Sequence, residues 1–243
     1  MLKEKISVII PAYNEEDNII NTISETIRVL ENINDDYEII VIDDGSTDNT
    51  YINVKSKITD FKNKVVVERY SPNKGKGFAI KYGANFIKGA YVLSLDADMD
   101  LPPKQITNFL KLMNESKADV IIGSKMHKDS VLNYPKIRKF YSFIYYILIK
   151  LLFGLPVKDT QTGMKLFKAD AFKKAASKII IKRYAFDLEL LVVLHKMGYR
   201  IIECPVILKS TREFGRIGIK DAINIFIDTA AIFYRLYIKK FYK

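Results

Sequence analysis

Three carboxylates on alternating positions, Asp96, Asp98 and Asp100, follow the apolar run Tyr91-Val-Leu-Ser-Leu95 and stop at Pro102-Pro103. Crowded at a strand end, such acids repel one another unless a proton or a cation neutralises them. Hard divalent cations take oxygen ligands, and Mg²⁺ and Mn²⁺ commonly share their shell with substrate phosphates. The pattern has two readings: a site for a metal-bound phosphate, or a polar loop whose acids cap the next helix. The run before it fits a central strand of a parallel sheet, and such sheets carry ligands at the carboxyl ends of their strands.

Other elements must bring chemistry to the same edge. Lys5-Ile-Ser-Val-Ile-Ile10 predicts a first strand ending at Pro11-Ala-Tyr-Asn-Glu15. Ile19, Ile20, Ile23, Ile27 and Leu30 then recur at helical spacing, with Asn14 or Asp17 as the cap. Glu38-Ile-Ile-Val-Ile42 predicts a second strand, closed by Asp43-Asp44-Gly45-Ser46-Thr47-Asp48; Gly45 permits a tight turn and the hydroxyls or Asp48 can cap a helix. Lys64–Glu68 predicts a third strand, and Ser71-Pro-Asn-Lys-Gly-Lys-Gly77 leads into a helix through about Ile87. Strand–helix alternation at this spacing implies a parallel α/β sheet with right-handed crossovers. No Gly-x-Gly-x-x-Gly follows the first strand and no Gly-Lys-Ser/Thr loop occurs, so neither a dinucleotide fold nor a P-loop enzyme is indicated.

The charge is divided along the chain. Residues 1–123 hold 15 Lys+Arg against 19 Asp+Glu, a net of −4; residues 124–243 hold 24 against 9, a net of +15, which together give +11. A basic half beside an acidic one points to polyanions. Helix-turn-helix, zinc and aromatic RNA-binding signatures are missing, which favours phosphate or an anionic membrane surface over nucleic acid. With 49% hydrophobic residues the chain can bury one large core, and its single cysteine, Cys204, fits a reducing compartment and an inert core position. His127 and His195 lie too far apart to suggest a paired site, and no signal peptide is visible before the first strand.

Four blocks in order, Val8-Ile-Ile-Pro-Ala-Tyr-Asn-Glu15, Val41-Ile-Asp-Asp-Gly-Ser-Thr-Asp48, Asn73-Lys-Gly-Lys-Gly77 and Asp96-Ala-Asp98, resemble those of family 2 glycosyltransferases with the GT-A fold. The resemblance runs from about residue 5 to about 215. It implies a mostly parallel sheet flanked by helices, with Pro11, Ala12, Tyr13, Glu15, Asp43, Asp44, Lys76, Asp96 and Ala97 facing a nucleotide-sugar donor. Asp96, Asp98 and Asp100 would hold Mg²⁺ or Mn²⁺ on its diphosphate, although relatives often have Gln where Asp100 stands.

Gly123-Ser-Lys125, Asp159-Thr-Gln-Thr-Gly-Met-Lys-Leu-Phe167 and Arg183-Tyr-Ala-Phe-Asp-Leu-Glu-Leu-Leu191 resemble the polyprenyl-phosphate sugar synthases, and among them the dolichyl-phosphate β-glucosyltransferases. That resemblance implies transfer of glucose from UDP-glucose to a dolichyl or related polyprenyl phosphate. Lys125, Arg138, Ser142, Arg212 and Arg216 become the candidates for gripping the acceptor phosphate. Relatives usually carry Arg at 125; Lys keeps the charge and loses the two-pronged grip. GDP-mannose as donor, or a saccharide hydroxyl as acceptor, would use the same blocks. A nucleotidyltransferase or a catalytically silent membrane adaptor explains them less well.

Residues 137–155 contain Phe140-Tyr-Ser-Phe-Ile-Tyr-Tyr-Ile-Leu-Ile149 between basic flanks. This unbroken apolar core is about half the roughly 20 residues a spanning helix requires, and it suits a helix lying in a membrane interface or one buried in the core. Residues 216–243 read as a second amphipathic, basic helical segment beyond the domain of residues 1–215. The expected setting is peripheral, at the cytoplasmic face of a membrane, without a firm spanning helix. Oligomeric state is not legible.

Acceptor chemistry decides what Asp187 does. A phosphate monoester loses its second proton near pH ~6 and needs no general base at neutral pH. A sugar hydroxyl needs one, and Asp187 or Glu189 stands where family members carry it. With a phosphate acceptor, Asp187 would orient the donor sugar or a basic residue instead; Asp98 and Asp187 are the catalytic candidates that the resemblance implies.

Overall fold

β-branched runs are buried on both faces only when helices cover both sides of a sheet, and the core of this protein is built that way. A computed structural model describes residues 4–33, 36–132, 136–183, 185–209 and 219–242. Strands β1 (Ile6–Ala12), β2 (Tyr37–Asp43), β3 (Val65–Arg69), β4 (Tyr91–Ser94), β5 (Val120–Ser124), β6 (Lys165–Lys168) and β7 (Ile201–Pro205) form one sheet in the order β3-β2-β1-β4-β6-β5-β7. Side-chain alternation divides the core: Val8, Ile10, Ile39 and Val41 face one layer, with Ile19, Ile23 and Leu30 of α1 (Ile19–Glu31). Ile9, Ile40 and Ile42 face the other, with Ala79 and Ile80 of α3 (Lys76–Gly83).

Every ladder is parallel except those of β6, which runs antiparallel between β4 and β5. This reversal positions the site. An antiparallel strand enters the sheet at the edge where its neighbours leave it, so Lys165, first in β6, pairs with Ser94, last in β4. Pro11 is tolerated near the centre because pairing with β4 has ended there: Ile9, two residues earlier on the same strand, accepts from Leu95 N–H at 3.0 Å, and no donor is needed at Pro11.

The remaining helices are α2 (Thr50–Ser56), α4 (Ile106–Ser116), α5 (Lys136–Phe153), α6 (Ala169–Lys178), α7 (Phe186–Lys196) and α8 (Ile219–Phe233). After α8 a π-helical turn spans Tyr234–Ile238. Ile232, Leu236 and Tyr242 of this C-terminal segment are buried in the same apolar layer as α7. Among the described residues, no helix is long and apolar enough to cross a membrane.

Candidate active site

The loops after β1 and β2 are laced together by polar side chains. Asn14, at φ +53°, does not cap α1, contrary to its sequence reading; its Oδ1 accepts from Thr47 N–H at 2.9 Å, and its own N–H donates to Ser46 Oγ at 3.0 Å. Glu15 N–H donates to Thr50 Oγ1 at 2.8 Å, and Asp48 Oδ1 takes the Thr50 amide that opens α2. Pro11 and Ala12 end β1 in the buried layer, whereas Tyr13 is 45% exposed above it.

Asp43 and Asp44 differ in role. Asp43, fully buried, accepts from Ser46 N–H at 2.9 Å and pairs with Arg69 at 3.1 Å. Asp44 binds the next loop: its oxygens accept from Lys74 N–H at 2.7 Å, Gly75 N–H at 2.8 Å and the Asn73 amide at 3.0 Å. Gly75, at φ +97°, approaches so closely that an added Cβ would lie 2.5 Å from the Lys182 carbonyl. That loop delivers Lys76 to the carboxyl edge of the sheet.

There Lys76 Nζ meets Asp96 Oδ1 at 2.6 Å and faces Asp187 Oδ2 at 3.9 Å. Asp187, in the first turn of α7, takes a hydrogen bond at 2.6 Å on its other oxygen from the buried Lys165. Lys165 also donates to the Thr162 carbonyl. Acids and ammonium groups thus alternate as Asp96, Lys76, Asp187, Lys165. Burial pulls the Lys76 ammonium down, but Asp96 and Asp187 outweigh it and hold its pKa above the ordinary value. Burial likewise raises Asp96, and Lys76 reverses the shift, leaving it below the ordinary carboxylate range. Lys165 ends lowered, because burial and Lys76 outweigh Asp187.

The Asp159-Thr-Gln-Thr-Gly block forms the adjoining wall. Asp159 Oδ2 accepts from Lys125 N–H at 2.9 Å and Thr162 Oγ1 at 2.6 Å, with Lys125 Nζ 3.9 Å away. Gly163 packs against Asp96; a Cβ there would stand 1.9 Å from Asp96 Oδ2. Lys125 therefore borders the cluster with its side chain partly exposed. Ser142 lies half-buried on α5, and Arg138 lies on the same helix with its side chain outside the described residues. Arg212 and Arg216 lie outside the described residues altogether.

Asp98 carries the clearest electrostatic stress. Burial, followed by Asp96, Asp100 and Glu15, pushes its carboxyl up to about 6. A divalent cation relieves that kind of stress, and two carboxylates completed by substrate phosphates suit Mg²⁺ or Mn²⁺. The donors present fit such an ion through Asp96 and Asp98. Asp100 adjoins them, its N–H donating to Asp98 Oδ1 at 3.1 Å; among the described residues no three acidic, histidine or cysteine side chains gather as a metal group.

Ala97 serves from the backbone, its carbonyl accepting from Thr22 Oγ1 at 2.7 Å. Cys204 is buried, with its thiol pushed up by burial to about 11. One charged residue, Lys165, escaped the sequence reading of the site. Lys165 lies within a quoted block, and a lysine opening an apolar strand was its signal. Glu189 is completely buried and bonded to backbone and tail, so it offers no free carboxylate to an acceptor.

A model of Glycosyl transferase family 2 matches residues 7–175. Dolichyl-phosphate beta-glucosyltransferase ALG5D of Trichomonas vaginalis is 33% identical over 249 residues, covering 96% of this chain and 75% of that protein. Its ALG5A counterpart in the same organism is 31% identical over 213 residues, covering 83% of this chain and 64% of that protein, so the chain spans just under two thirds of that relative. Among solved structures, glucosyl-3-phosphoglycerate synthase of Mycobacterium tuberculosis with Mn²⁺, UDP-glucose and phosphoglyceric acid superposes with a TM-score of 0.67 at 17% identity. The match covers 95% of this chain and 79% of that one.

Proposed function

The chain belongs to glycosyl transferase family 2 and has the GT-A fold, and from that premise we propose that it transfers glucose from UDP-glucose to dolichyl or a related polyprenyl phosphate. Relatives named dolichyl-phosphate beta-glucosyltransferase match most of the chain. The observation that carries the acceptor choice is the 2.6 Å bond between Lys165 and Asp187. With one oxygen held by Lys165 and the other facing Lys76, Asp187 is committed to cations, not poised to take a proton from a hydroxyl. A phosphate acceptor asks for no such base.

The reaction follows as one in-line displacement. An anionic phosphate oxygen of the lipid forms the new bond to the anomeric carbon, the bond from that carbon to the diphosphate breaks, and the nucleoside diphosphate leaves with the electron pair. Lys76 holds charge on the departing diphosphate, since it stands beside Asp96 after the glycine loop with a third of its side chain exposed. Asp187, fixed by Lys165, orients the sugar, and Lys125 draws in the acceptor phosphate. Bound to Asp96 and Asp98, Mg²⁺ or Mn²⁺ would supply further neutralisation of the diphosphate.

A lipid acceptor also accounts for two surface helices. α5 exposes Phe140, Tyr141, Phe143 and Ile144, and α8 exposes Ile223, Phe226 and Ile227. The helices meet where Phe153 packs edge-on to Phe233, 6.5 Å between ring centres. Their outward faces make an aromatic, aliphatic surface suited to the headgroup region of an anionic bilayer. We place this surface at the cytoplasmic face of a membrane, a setting that the free thiol Cys204 suits. The test is transfer of labelled sugar into extractable lipid from UDP-glucose or GDP-mannose with dolichyl phosphate and Mn²⁺. Labelling from UDP-glucose is expected, and labelling from GDP-mannose alone overturns the donor assignment.

A further inference from the structure

We infer that Glu189 is a positioning residue, coupling the C-terminal segment to the loop that presents Lys76; the consequence for donor binding rests on the function proposed above. Glu189 is completely buried two residues beyond Asp187 on α7, and both of its oxygens are doubly engaged. On one side, Oε1 accepts from Arg235 Nη2 at 2.9 Å and from the Tyr242 hydroxyl, and Arg235 Nε donates to the same hydroxyl at 2.8 Å. On the other side, Oε2 accepts from Ile180 N–H at 3.0 Å and Ile181 N–H at 2.7 Å.

The segment held by Oε2 is the back wall of the Lys76 loop. The Lys182 carbonyl accepts from Phe78 N–H at 3.2 Å, and the Ile179 carbonyl accepts from Lys81 Nζ at 2.7 Å. Gly75 and Gly77 leave no slack, since a Cβ on either would lie 2.5 Å from the Lys182 carbonyl or from Phe186. Displacing residues 179–182 therefore displaces the start of α3, where Lys76 reaches Asp96. A buried carboxylate with four charge-assisted or backbone bonds is costly to leave half-satisfied. Loosening Arg235 or Tyr242 thus shifts Glu189, then Ile180 and Ile181, then the loop. The tail that closes this path carries the exposed apolar face of α8, so seating that face on a bilayer would steady the donor loop.

Tyr242→Phe removes one hydroxyl and little volume, and Arg235→Gln removes the charge. Backbone amide exchange of the full chain, read residue by residue without any donor, tests the coupling directly. Protection at residues 74–78 should fall roughly tenfold in each variant, as for loss of a hydrogen bond to a charged group, while β1 and β2 keep theirs. In transfer assays kcat/KM for the donor should fall by a similar factor. Exchange that changes only at the tail and at 180–181 overturns the inference. Failure of the proposed function looks different: wild-type protein transfers from no donor, yet the exchange pattern still decides whether the coupling exists.

Discussion

Lys165 on β6 and Asp187 on α7, 22 residues apart, meet at 2.6 Å with the lysine only 1% exposed. Removing one partner of a buried pair strands the other charge, at a cost of about 3–5 kcal/mol. Lys165→Met should lower the melting temperature by roughly 10 °C and abolish transfer. Lys165→Met with Asp187→Leu should recover most of the stability and none of the activity, as calorimetry beside a transfer assay would show. Recovery of both would reduce the pair to packing.

Lys76→Gln shortens the side chain by one bond, keeps it polar and removes its charge. The loss expected is about 10²–10³ in kcat, the usual effect of deleting one group that meets developing negative charge. Steady-state kinetics with the nucleotide sugar would measure it. An unchanged kcat would remove Lys76 from the reaction.

Gly163→Ala inserts a methyl group where 1.9 Å separates the Cβ position from Asp96 Oδ2. Asp96 must move, and its contact with Lys76 moves with it. Stability should fall by about 1–3 kcal/mol, and titration calorimetry should show weaker binding of the nucleoside diphosphate with Mn²⁺. Wild-type affinity in Gly163→Ala would mean that Asp96 is not part of that site.

Asp159 gives a pH dependence with a definite sign. Burial raises its carboxyl, but Lys125, Thr162 and two backbone amides outweigh burial and hold it below the ordinary 3.8. Its folded pKa is thus depressed, so the unfolded chain binds more protons between that value and 3.8. The stabilisation it provides is complete above about pH 4 and is lost as pH falls through the folded value. Asp159→Asn should flatten this part of the acid limb in urea titrations and leave the neutral region parallel to wild type.

Much of this was readable in the chain, for physical reasons. The β-branched runs announce β1 and β2 because both faces of the sheet are covered. The alternating acids announce the edge because three carboxylates after a strand demand compensation. Asn14 misled because Asn suits both a helix cap and a positive-φ turn, and only the partner loop at Thr47 decides between them. Lys165 was hidden by its apolar neighbours, and its importance follows from β6 entering the sheet backwards. The bond from Glu189 to Arg235 spans 46 residues and two separate helices, and local sequence carries no trace of such a pairing.

Membrane docking has its own test. Phe226→Ser with Ile227→Ser, both exposed on α8, should weaken sedimentation with anionic vesicles roughly tenfold or more, given about 1.5–3 kcal/mol for each buried side chain. The variant should turn over a short, water-soluble polyprenyl phosphate as wild type does. Undiminished vesicle binding would move the docking surface elsewhere.

The central claim is that the acceptor is a phosphate and that Asp187 is not a base. It is tested most directly by offering one protein preparation dolichyl phosphate and unphosphorylated dolichol in parallel, with UDP-glucose and Mn²⁺, and extracting the labelled lipid. The account predicts label in the phosphate-derived product only, at a rate independent of pH from about 7 to 9, where the phosphate is already ionised. Transfer to the free alcohol, with a rate that climbs over that range and vanishes in Asp187→Asn, would contradict it.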